Sequence, residues 1–185
     1  LSFKELFYLA AVPSHNQACE IIARAVGDRL EGSGTSRAKF LAQMNAFCTQ
    51  FGYTGANFVD PHGISSSNKI RPRDMADIMF KDLEIPAIKD AFAQTKIKVT
   101  VRGAQPRTLE ATNGMYDYGL ESFPDRVASK AGSLTGWYNL AIAFSTSGAQ
   151  PGVAVLMGST SAGRYPDTRA LINLAKDRYN RQYLL

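Results

Sequence analysis

Two short stretches of this sequence combine side chains that could take part in proton transfer and acyl chemistry. Ser14-His15-Asn16 places a hydroxyl, an imidazole and a carboxamide between two apolar stretches, and Lys130-Ala131-Gly132 places an amine just before the strand pattern YNLAIAF. A serine hydroxyl and a lysine amine can relay a proton, and a carboxamide can hold a substrate amide. The plain structural alternative for Ser14 or Asn16 is a helix cap, since both residue types are favoured at helix N-termini.

Two other kinds of site fit the sequence less well. His15 and Cys19 stand one helical turn apart, and His62 with Cys48 would complete four ligands, but the close ligand pairs of a structural zinc site are missing. A Ser-His-Asp hydrolase is not indicated, because the sequence has no Gly-x-Ser-x-Gly elbow. His62 lies in the stretch DPHG (60–63), where a polar role in a turn is expected. No metal and no cofactor are therefore predicted.

The two stretches match parts of a Ser/Lys acyl-transfer centre. In such centres a Ser-x-x-Lys supplies nucleophile and base, a Ser-x-Asn supplies a relay hydroxyl and a substrate-holding amide, and a Lys-Thr-Gly strand forms the far wall. Residues 14–16 fit the second element, and residues 130–132 nearly fit the third. Each tripeptide alone is a weak signal, because such patterns recur by chance, but their order along the chain strengthens both.

The elements that must position these residues begin with helices. Apolar residues at 3–4 spacing predict three helices. The first covers 3–12, and the second would begin at a cap formed by Ser14 or Asn16 and end at EGSG (31–34). The third begins at Thr35-Ser36. The third helix is expected to carry four residues inward: Phe40, Met44, Phe47 and Phe51. The stretch GYTGANFVDPHGISSSNKI is predicted to be a long ordered loop, followed by short helices over RPRDMADIMF and 87–93.

From residue 96 the apolar period changes from 3.6 to 2, which is typical of strands. KIKVTVR is expected to pair with RTLEAT, and YNLAIAFSTS with GVAVLMG as a hairpin. A terminal helix is predicted from Pro166-Asp167, with four residues facing the sheet: Leu171, Leu174, Ala175 and Tyr179. This order predicts an α+β fold in one domain over 1–185, with a helical region 1–93 followed by an antiparallel sheet and closing helix over 96–185.

Bulk properties narrow the class of protein. The chain is 45% hydrophobic with a net charge of +5, and it contains no apolar run of the ~20 residues that a membrane-spanning helix needs. It begins with Leu and shows no leader, so a processed or trimmed product is expected. The charge favours anionic membrane or wall surfaces, but the basic residues are scattered, so a nucleic-acid partner is not predicted. Cys19 and Cys48 look like small core residues, and a disulfide between them is possible.

Four longer segments share their pattern with one known protein family. LFYLAAVPSHNQA is similar to that family's helix leading into Ser-x-Asn-x-Ala, and FLAQMNAFCTQFGYTGANFVDPHGISSSNKIRPRDMA is similar to its Met-Asn helix, Asp/Asn-Pro-x-Gly loop and following helix. ATNGM resembles its Asn-Thr-Asn element, and GSTSAGRYPDTRALINLA resembles its closing segment. The chain thus resembles the serine-type D-alanyl-D-alanine carboxypeptidases, the low-molecular-mass penicillin-binding proteins, with their β-lactamase/transpeptidase-like fold.

Two departures from that family pattern stand out. The family's nucleophilic Ser-x-x-Lys lies upstream of Ser-x-Asn, and the thirteen residues before Ser14 do not contain it. The literal matches Ser36-Arg37-Ala38-Lys39 and Ser66-Ser67-Asn68-Lys69 come after it, and both are interpreted as coincidences. Ala131 stands where the family has Thr, so the resemblance implies weaker recognition of a free substrate carboxylate.

The resemblance implies a role for each site residue. A serine upstream of Leu1 would attack the penultimate D-Ala carbonyl of a peptidoglycan stem peptide, and water would resolve the acyl-enzyme. Ser14 would pass a proton toward the leaving amine, Asn16 would hold the substrate amide, and Lys130 would add positive potential. The segment Ala131-Gly132-Ser133 would line the substrate, with the Ser133 N–H in the oxyanion hole, and Arg164 is a further candidate for the carboxylate.

Alternative functions follow from the same features. A DD-endopeptidase that cleaves cross-links is the near alternative, and a non-catalytic envelope protein that binds wall peptide or a partner is the distant one. The resemblance implies peptidoglycan peptides as substrates, β-lactams as inhibitors, and a secreted protein in the periplasm or on the extracellular face of the envelope. Carboxypeptidase activity is the leading hypothesis.

Overall fold

The computed structural model describes residues 1–100, 105–110, 123–148 and 151–183. Its six helices are α1 Phe3–Ala11, α2 Asn16–Gly27, α3 Ser36–Gln50, α4 Pro72–Asp82, α5 Pro86–Ala93 and α6 Arg164–Tyr183. Its five strands are β1 Lys96–Val99, β2 Arg107–Glu110, β3 Arg126–Leu134, β4 Trp137–Phe144 and β5 Gly152–Ser159. The predicted order of elements is confirmed, and the segment around Lys130, placed before a strand by the sequence pattern, is itself a strand.

The chain divides into two compact units. The first contains Leu1–Asp74 and Thr95–Glu110, with helices α1 to α3, the long loop and the antiparallel pair β1–β2. The second contains Met75–Gln94 and Ala111–Leu185, with most of α4, α5, the sheet and α6. The prediction of one domain over 1–185 stays a prediction.

In the first unit, α2 and α3 approach each other closely at Gly27. A Cβ built on Gly27 would lie 1.8 Å from the carbonyl oxygen of Ser36, so no larger residue fits without a backbone shift. Thr35 caps α3 by accepting a hydrogen bond from the Ala38 N–H. The helix that carries Asn16 is therefore fixed against its neighbour at its C-terminal end.

In the second unit, the sheet has the order β3-β4-β5, and all its pairs are antiparallel. One face packs on α6 through a cluster that includes Ala131, Leu140, Ile142, Tyr165 and Ile172. On the other face a second cluster forms around three buried residues, Met79, Ala128 and Ala143, with Leu83 and Phe92 packed against it. Helices therefore flank the sheet on both faces, as predicted.

Two predicted helix faces are wrong. In α3, Phe40 and Met44 are half-buried, but Phe47 and Phe51 are exposed and pack on each other with ring centroids 4.5 Å apart. In α6, Leu171, Leu174 and Ala175 are exposed and Tyr179 is half-buried.

The face that α6 does bury consists of Tyr165, Thr168 and Ile172. Thr168 can be buried because its hydroxyl donates to the Arg164 carbonyl at 2.6 Å. The spacing of apolar residues does not predict this face, because Thr168, which lies between Tyr165 and Ile172, is polar.

Neither cysteine is in a disulfide. Cys48 is buried, and this burial, with a contribution from the Asp74 carboxylate, raises the pKa of its thiol. Cys48 is the small core residue that its apolar neighbours predict, and Cys19 is half-buried. In the part of the chain that the structure describes, no helix combines the length and apolarity that crossing a membrane requires.

Candidate active site

Ser14 lies in the joint between α1 and α2 and has a left-handed backbone conformation. Pro13 cannot continue α1, and the last turn closes by hydrogen bonds from the Val12 N–H to the Tyr8 carbonyl and from the His15 N–H to the Leu9 carbonyl. This reversal leaves Ser14 with φ +55°, and it is the one residue other than glycine with positive φ in the described chain. Such a conformation is costly for a residue with a Cβ, so the surrounding joint must hold Ser14 in place.

Neither Ser14 nor Asn16 is the N-cap of α2. The N-cap is His15, whose side chain makes no capping hydrogen bond, and Asn16 is the first helical residue with an exposed side chain. The prediction that Ser14 or Asn16 caps this helix is therefore wrong. A helix cap therefore does not account for these two polar residues.

The loop after α3 is organised by the buried carboxylate of Asp60. It accepts hydrogen bonds from the backbone N–H groups of His62, Gly63 and Ser65. Burial alone would raise the pKa of Asp60, but these N–H groups and the nearby Asn68 side chain outweigh it and lower the pKa below its ordinary value. The predicted turn role of the DPHG stretch is confirmed.

The same loop is fastened to helix α2 by a charged cluster. The Glu20 carboxylate lies 3.0 Å from Nε of Arg37 and 3.3 Å from Nε2 of His62. On the other side of the imidazole, Nδ1 lies 3.3 Å from the Asp60 carboxylate. In α3, the Asn45 side chain bonds both the N–H and the carbonyl of Phe58. The loop and α3 thus both support α2, the helix that carries Asn16.

The Asp60→Asn variant is expected to lower the free energy of unfolding at pH 7 by about 2 kcal/mol, because three N–H donors lose a charged acceptor. The folded pKa lies below the unfolded value of about 4, so this stability is full above that pH and is lost as the pH falls. Urea unfolding of both proteins at pH 7 and pH 3 checks this, and the difference should shrink at pH 3. The exposed Asp177, changed to Asn, is the matched control. A difference that does not change with pH would contradict the assignment.

Lys130 lies in the middle of β3, an edge strand of the described sheet. It is half-buried, and its Nζ donates to the carbonyl of Ala131 at 2.6 Å. It is paired across the sheet with Ala141. The pair two positions earlier, Ala128 with Ala143, lies on the face away from α6, so Lys130 lies on that face too. The amine is therefore held close to the strand's own backbone.

Ala131 faces the opposite side, where its methyl group is buried against Leu140 and Tyr165 in the α6 cluster. An apolar side chain suits this environment. Alanine in place of the threonine expected at this position is thus compatible with the packing. Another residue nearby could bind the substrate carboxylate.

That candidate is Arg164, whose side chain is only 8% exposed. Its Nη1 donates to Oγ of Ser133 at 2.7 Å and approaches the Gly132 carbonyl at 3.4 Å. The guanidinium lies 4.9 Å from the ring centre of Tyr165 and 5.6 Å from that of Tyr138. No carboxylate among the described residues pairs with it, and its Nε is buried without a hydrogen-bond partner. The structure therefore brings Arg164, Gly132 and Ser133 together as a cationic site on β3.

The predicted site residues fall in different units. Ser14 and Asn16 belong to the first unit, whereas Lys130, Ala131, Gly132, Ser133 and Arg164 belong to the second. The meeting of the Ser-x-Asn and Lys-x-Gly stretches stays a prediction. The predicted Asn-Thr-Asn-like element ATNGM lies outside the described residues.

The two literal Ser-x-x-Lys matches have other contacts. At the start of α3, the Ser36 hydroxyl donates to Asp28, and the Lys39 amine donates to the Leu30 carbonyl at 2.6 Å. Ser66 and Lys69 lie in the loop, where the Lys69 backbone pairs with Asn57. These contacts agree with the interpretation of both matches as coincidences.

Two residues near the ends of β3 carry no sequence motif, Arg126 at its start and Trp137 just after its turn. The Arg126 guanidinium donates to the Phe92 and Ala93 carbonyls at the C-terminal end of α5, which ties that helix to the start of β3. Trp137 follows the β3–β4 turn and is 60% exposed. Neither was predicted, since an isolated Arg or Trp has no distinctive spacing.

No curated protein sequence matches the chain. Among solved structures, the K15 DD-transpeptidase of Streptomyces superposes with a TM-score of 0.78 at 23% identity, over 92% of this chain and 66% of that one. The D-alanyl-D-alanine carboxypeptidase DacD of Francisella tularensis superposes with 0.76 at 16% identity, over 94% and 51%. Penicillin-binding protein 4 of Haemophilus influenzae, solved with a β-lactam, gives 0.63 at 18% identity, over 93% and 41%.

These likenesses show a shared β-lactamase/transpeptidase-like fold, which confirms the predicted fold class. The chain spans about two thirds or less of the length of these three structures. A sequence profile of the peptidase family S11, the D-alanyl-D-alanine carboxypeptidases, matches residues 1–122, which include the Ser-x-Asn joint and the Asp60 loop. Since that match covers more than half of the 185 residues, the chain belongs to the D-alanyl-D-alanine carboxypeptidase family.

Proposed function

We propose that this chain is the larger part of a serine DD-peptidase that removes the terminal D-Ala from peptidoglycan stem peptides. The observation that carries the proposal is the buried Arg164 guanidinium, held on Ser133 of the edge strand that also contains Lys130. A buried cation without a carboxylate partner among the described residues is costly unless a ligand supplies the anion. The C-terminal carboxylate of the substrate is that anion.

The direction of the β3 backbone supports an oxyanion site at Ser133. The two-residue turn Thr135-Gly136 closes on the pair Leu134 and Trp137, which is hydrogen-bonded in a hairpin of this kind. Hydrogen-bonded and non-hydrogen-bonded pairs alternate, so the N–H of Ser133 points away from β4. An outward N–H on an edge strand can donate to a substrate oxygen.

The reaction is an acyl transfer to a serine of a Ser-x-x-Lys that precedes Leu1 in the full-length protein. The serine oxygen bonds to the penultimate D-Ala carbonyl carbon, the C–N bond to the last D-Ala breaks, and Ser14 relays a proton to the departing amine. Asn16 holds the substrate amide, while Lys130 and Arg164 face its carboxylate. Water then releases the shortened peptide and restores the serine.

The cationic site favours a carboxypeptidase over an endopeptidase, because a free C-terminal carboxylate is its natural ligand. The proposed substrate supports a secreted protein that acts in the cell envelope, outside the cytoplasm, where β-lactams would acylate the same serine. The net charge of +5 suits anionic membrane or wall surfaces there.

The decisive experiment labels the full-length protein with fluorescent penicillin and locates the label by peptide mapping. A covalent label on a Ser-x-x-Lys serine before Leu1 is expected, with no label on Ser36 or Ser66. A protein that takes no label would be a non-catalytic member of the fold. Label on Ser36 or Ser66 would overturn the proposed position of the nucleophile.

A further inference from the structure

Trp137 is the most exposed large apolar side chain among the described residues, at 60%. It is the first residue of β4 and follows the turn that ends β3. Tryptophan has one of the largest apolar side chains, so its burial would contribute about as much free energy as that of any residue. An exposed indole gives up this contribution. Such a residue on a rigid element is typical of a binding surface.

The indole is supported from below by Gly158 in β5. A Cβ built on Gly158 would lie 3.6 and 3.7 Å from Cζ3 and Cε3 of the ring, which is ordinary contact. Gly158 has φ +72°, and its N–H donates to Oδ1 of Asn139 at 2.8 Å. The ring therefore rests on a fixed piece of backbone with its other side open to solvent.

Trp137 lies on the same side of the sheet as Lys130. Leu134 pairs with Trp137, and successive pairs place Gly132 and then Lys130 on that face. Gly132 has no side chain, and its cross-strand neighbour on this face is Asn139, whose side chain is tied to the Gly158 N–H. Four residues of strand span ~13 Å from Lys130 to Leu134, which is the length of about four residues of an extended peptide.

We propose that Leu134 and Trp137 form a subsite for a long aliphatic side chain on the acyl half of the peptide substrate, a step that rests on the proposed function. An extended peptide that pairs with the outer edge of β3 gains main-chain hydrogen bonds, and its alternate side chains contact one face. Lys130 lies before Ser133 and Trp137 beyond it. With the carboxylate near the cations and the scissile carbonyl at Ser133, the acyl half runs toward the indole.

The test compares two substrates of the full-length enzyme: diacetyl-L-Lys-D-Ala-D-Ala, which has a long side chain, and acetyl-Gly-D-Ala-D-Ala, which has none. Trp137→Ala is expected to lower kcat/KM about tenfold for the lysine peptide and less than twofold for the glycine peptide. Trp137→Phe, which keeps a ring over Gly158, should recover most of the loss. Leu174→Ala, at an exposed apolar position on α6, is the matched control and should change neither value.

Equal losses for both peptides in Trp137→Ala, or no loss for either, would overturn the subsite. If Trp137→Ala does not fold, as shown by the absence of penicillin labelling, Trp137→Phe decides: the small loss that it leaves must affect the lysine peptide and not the glycine peptide. Failure of the wild-type protein to cleave either peptide or to take penicillin would instead contradict the proposed function.

Discussion

The Ser14→Gly variant is expected to be more stable than the wild-type protein and almost inactive. A residue with a Cβ at φ +55° costs about 1–2 kcal/mol, and glycine removes that cost. Glycine also gives the unfolded chain more freedom, which takes back about 0.5–1 kcal/mol. The net expected gain in the free energy of unfolding is therefore about 0.5–1 kcal/mol. In the proposed mechanism the Ser14 hydroxyl relays a proton, and its loss should lower the rate of acylation by a factor of about 10² to 10⁴.

The Ser14→Ala variant separates the two effects. It also removes the hydroxyl, so it should be equally inactive, but it keeps the Cβ and should show no gain in stability. Denaturant unfolding and the rate of penicillin labelling, both on the full-length protein, give the two quantities. A glycine variant that labels at the wild-type rate would remove Ser14 from the mechanism. A glycine variant that is less stable would show that the joint does not impose the strained conformation.

The opposite signs of these effects illustrate what the sequence can and cannot predict about this joint. The spacing Ser-x-Asn after Pro13 is enough to nominate Ser14 and Asn16 as functional residues. Residue type argues against the left-handed conformation, which glycine, asparagine and aspartate adopt far more readily than serine. The conformation follows from hydrogen bonds between the end of α1 and the N–H of His15, and these depend on three-dimensional closure of the turn.

In the second unit, too, some features follow from the sequence pattern and others only from three-dimensional packing. Strand β3 reads RVASKAGSL, which has a weak period of two because small and polar residues occupy most of it. Its strand character comes from pairing with β4, where the apolar alternation is strong. In α6, the pattern predicts a helix correctly but assigns its buried face wrongly, because Thr168 satisfies its own hydroxyl.

The site residues that sequence reasoning missed act through contacts rather than motifs. Arg126 is one of many basic residues, and only the structure shows that it binds the last carbonyls of α5. For Arg164, which the sequence does predict, the burial and the bond to Ser133 depend on the packing of α6 on the sheet. Long-range packing of this kind leaves no local signature in the sequence.

The Lys130→Ala variant is expected to reduce penicillin acylation of the full-length protein about 10³-fold, which corresponds to about 4 kcal/mol of transition-state stabilisation. In the proposed mechanism Lys130 supplies positive charge that acts on the substrate carboxylate, and a preorganised charge in a partly buried site has effects of this size. The fold should survive, because Lys130 is only half-buried and lies on an edge strand of the described sheet.

Two further variants distinguish the effect of a positive charge at position 130 from the effect of the protein's net charge. Lys130→Arg keeps the positive charge and should recover at least a tenfold part of the loss, although its planar head fits a lysine site imperfectly. Lys89→Ala removes an exposed charge from α5 and should leave the labelling rate unchanged. If Lys130→Ala were labelled at the wild-type rate, Lys130 would be a structural lysine of β3. Another residue would then have to supply the positive charge that the proposed mechanism assigns to Lys130, and Arg164 would be the first residue to test.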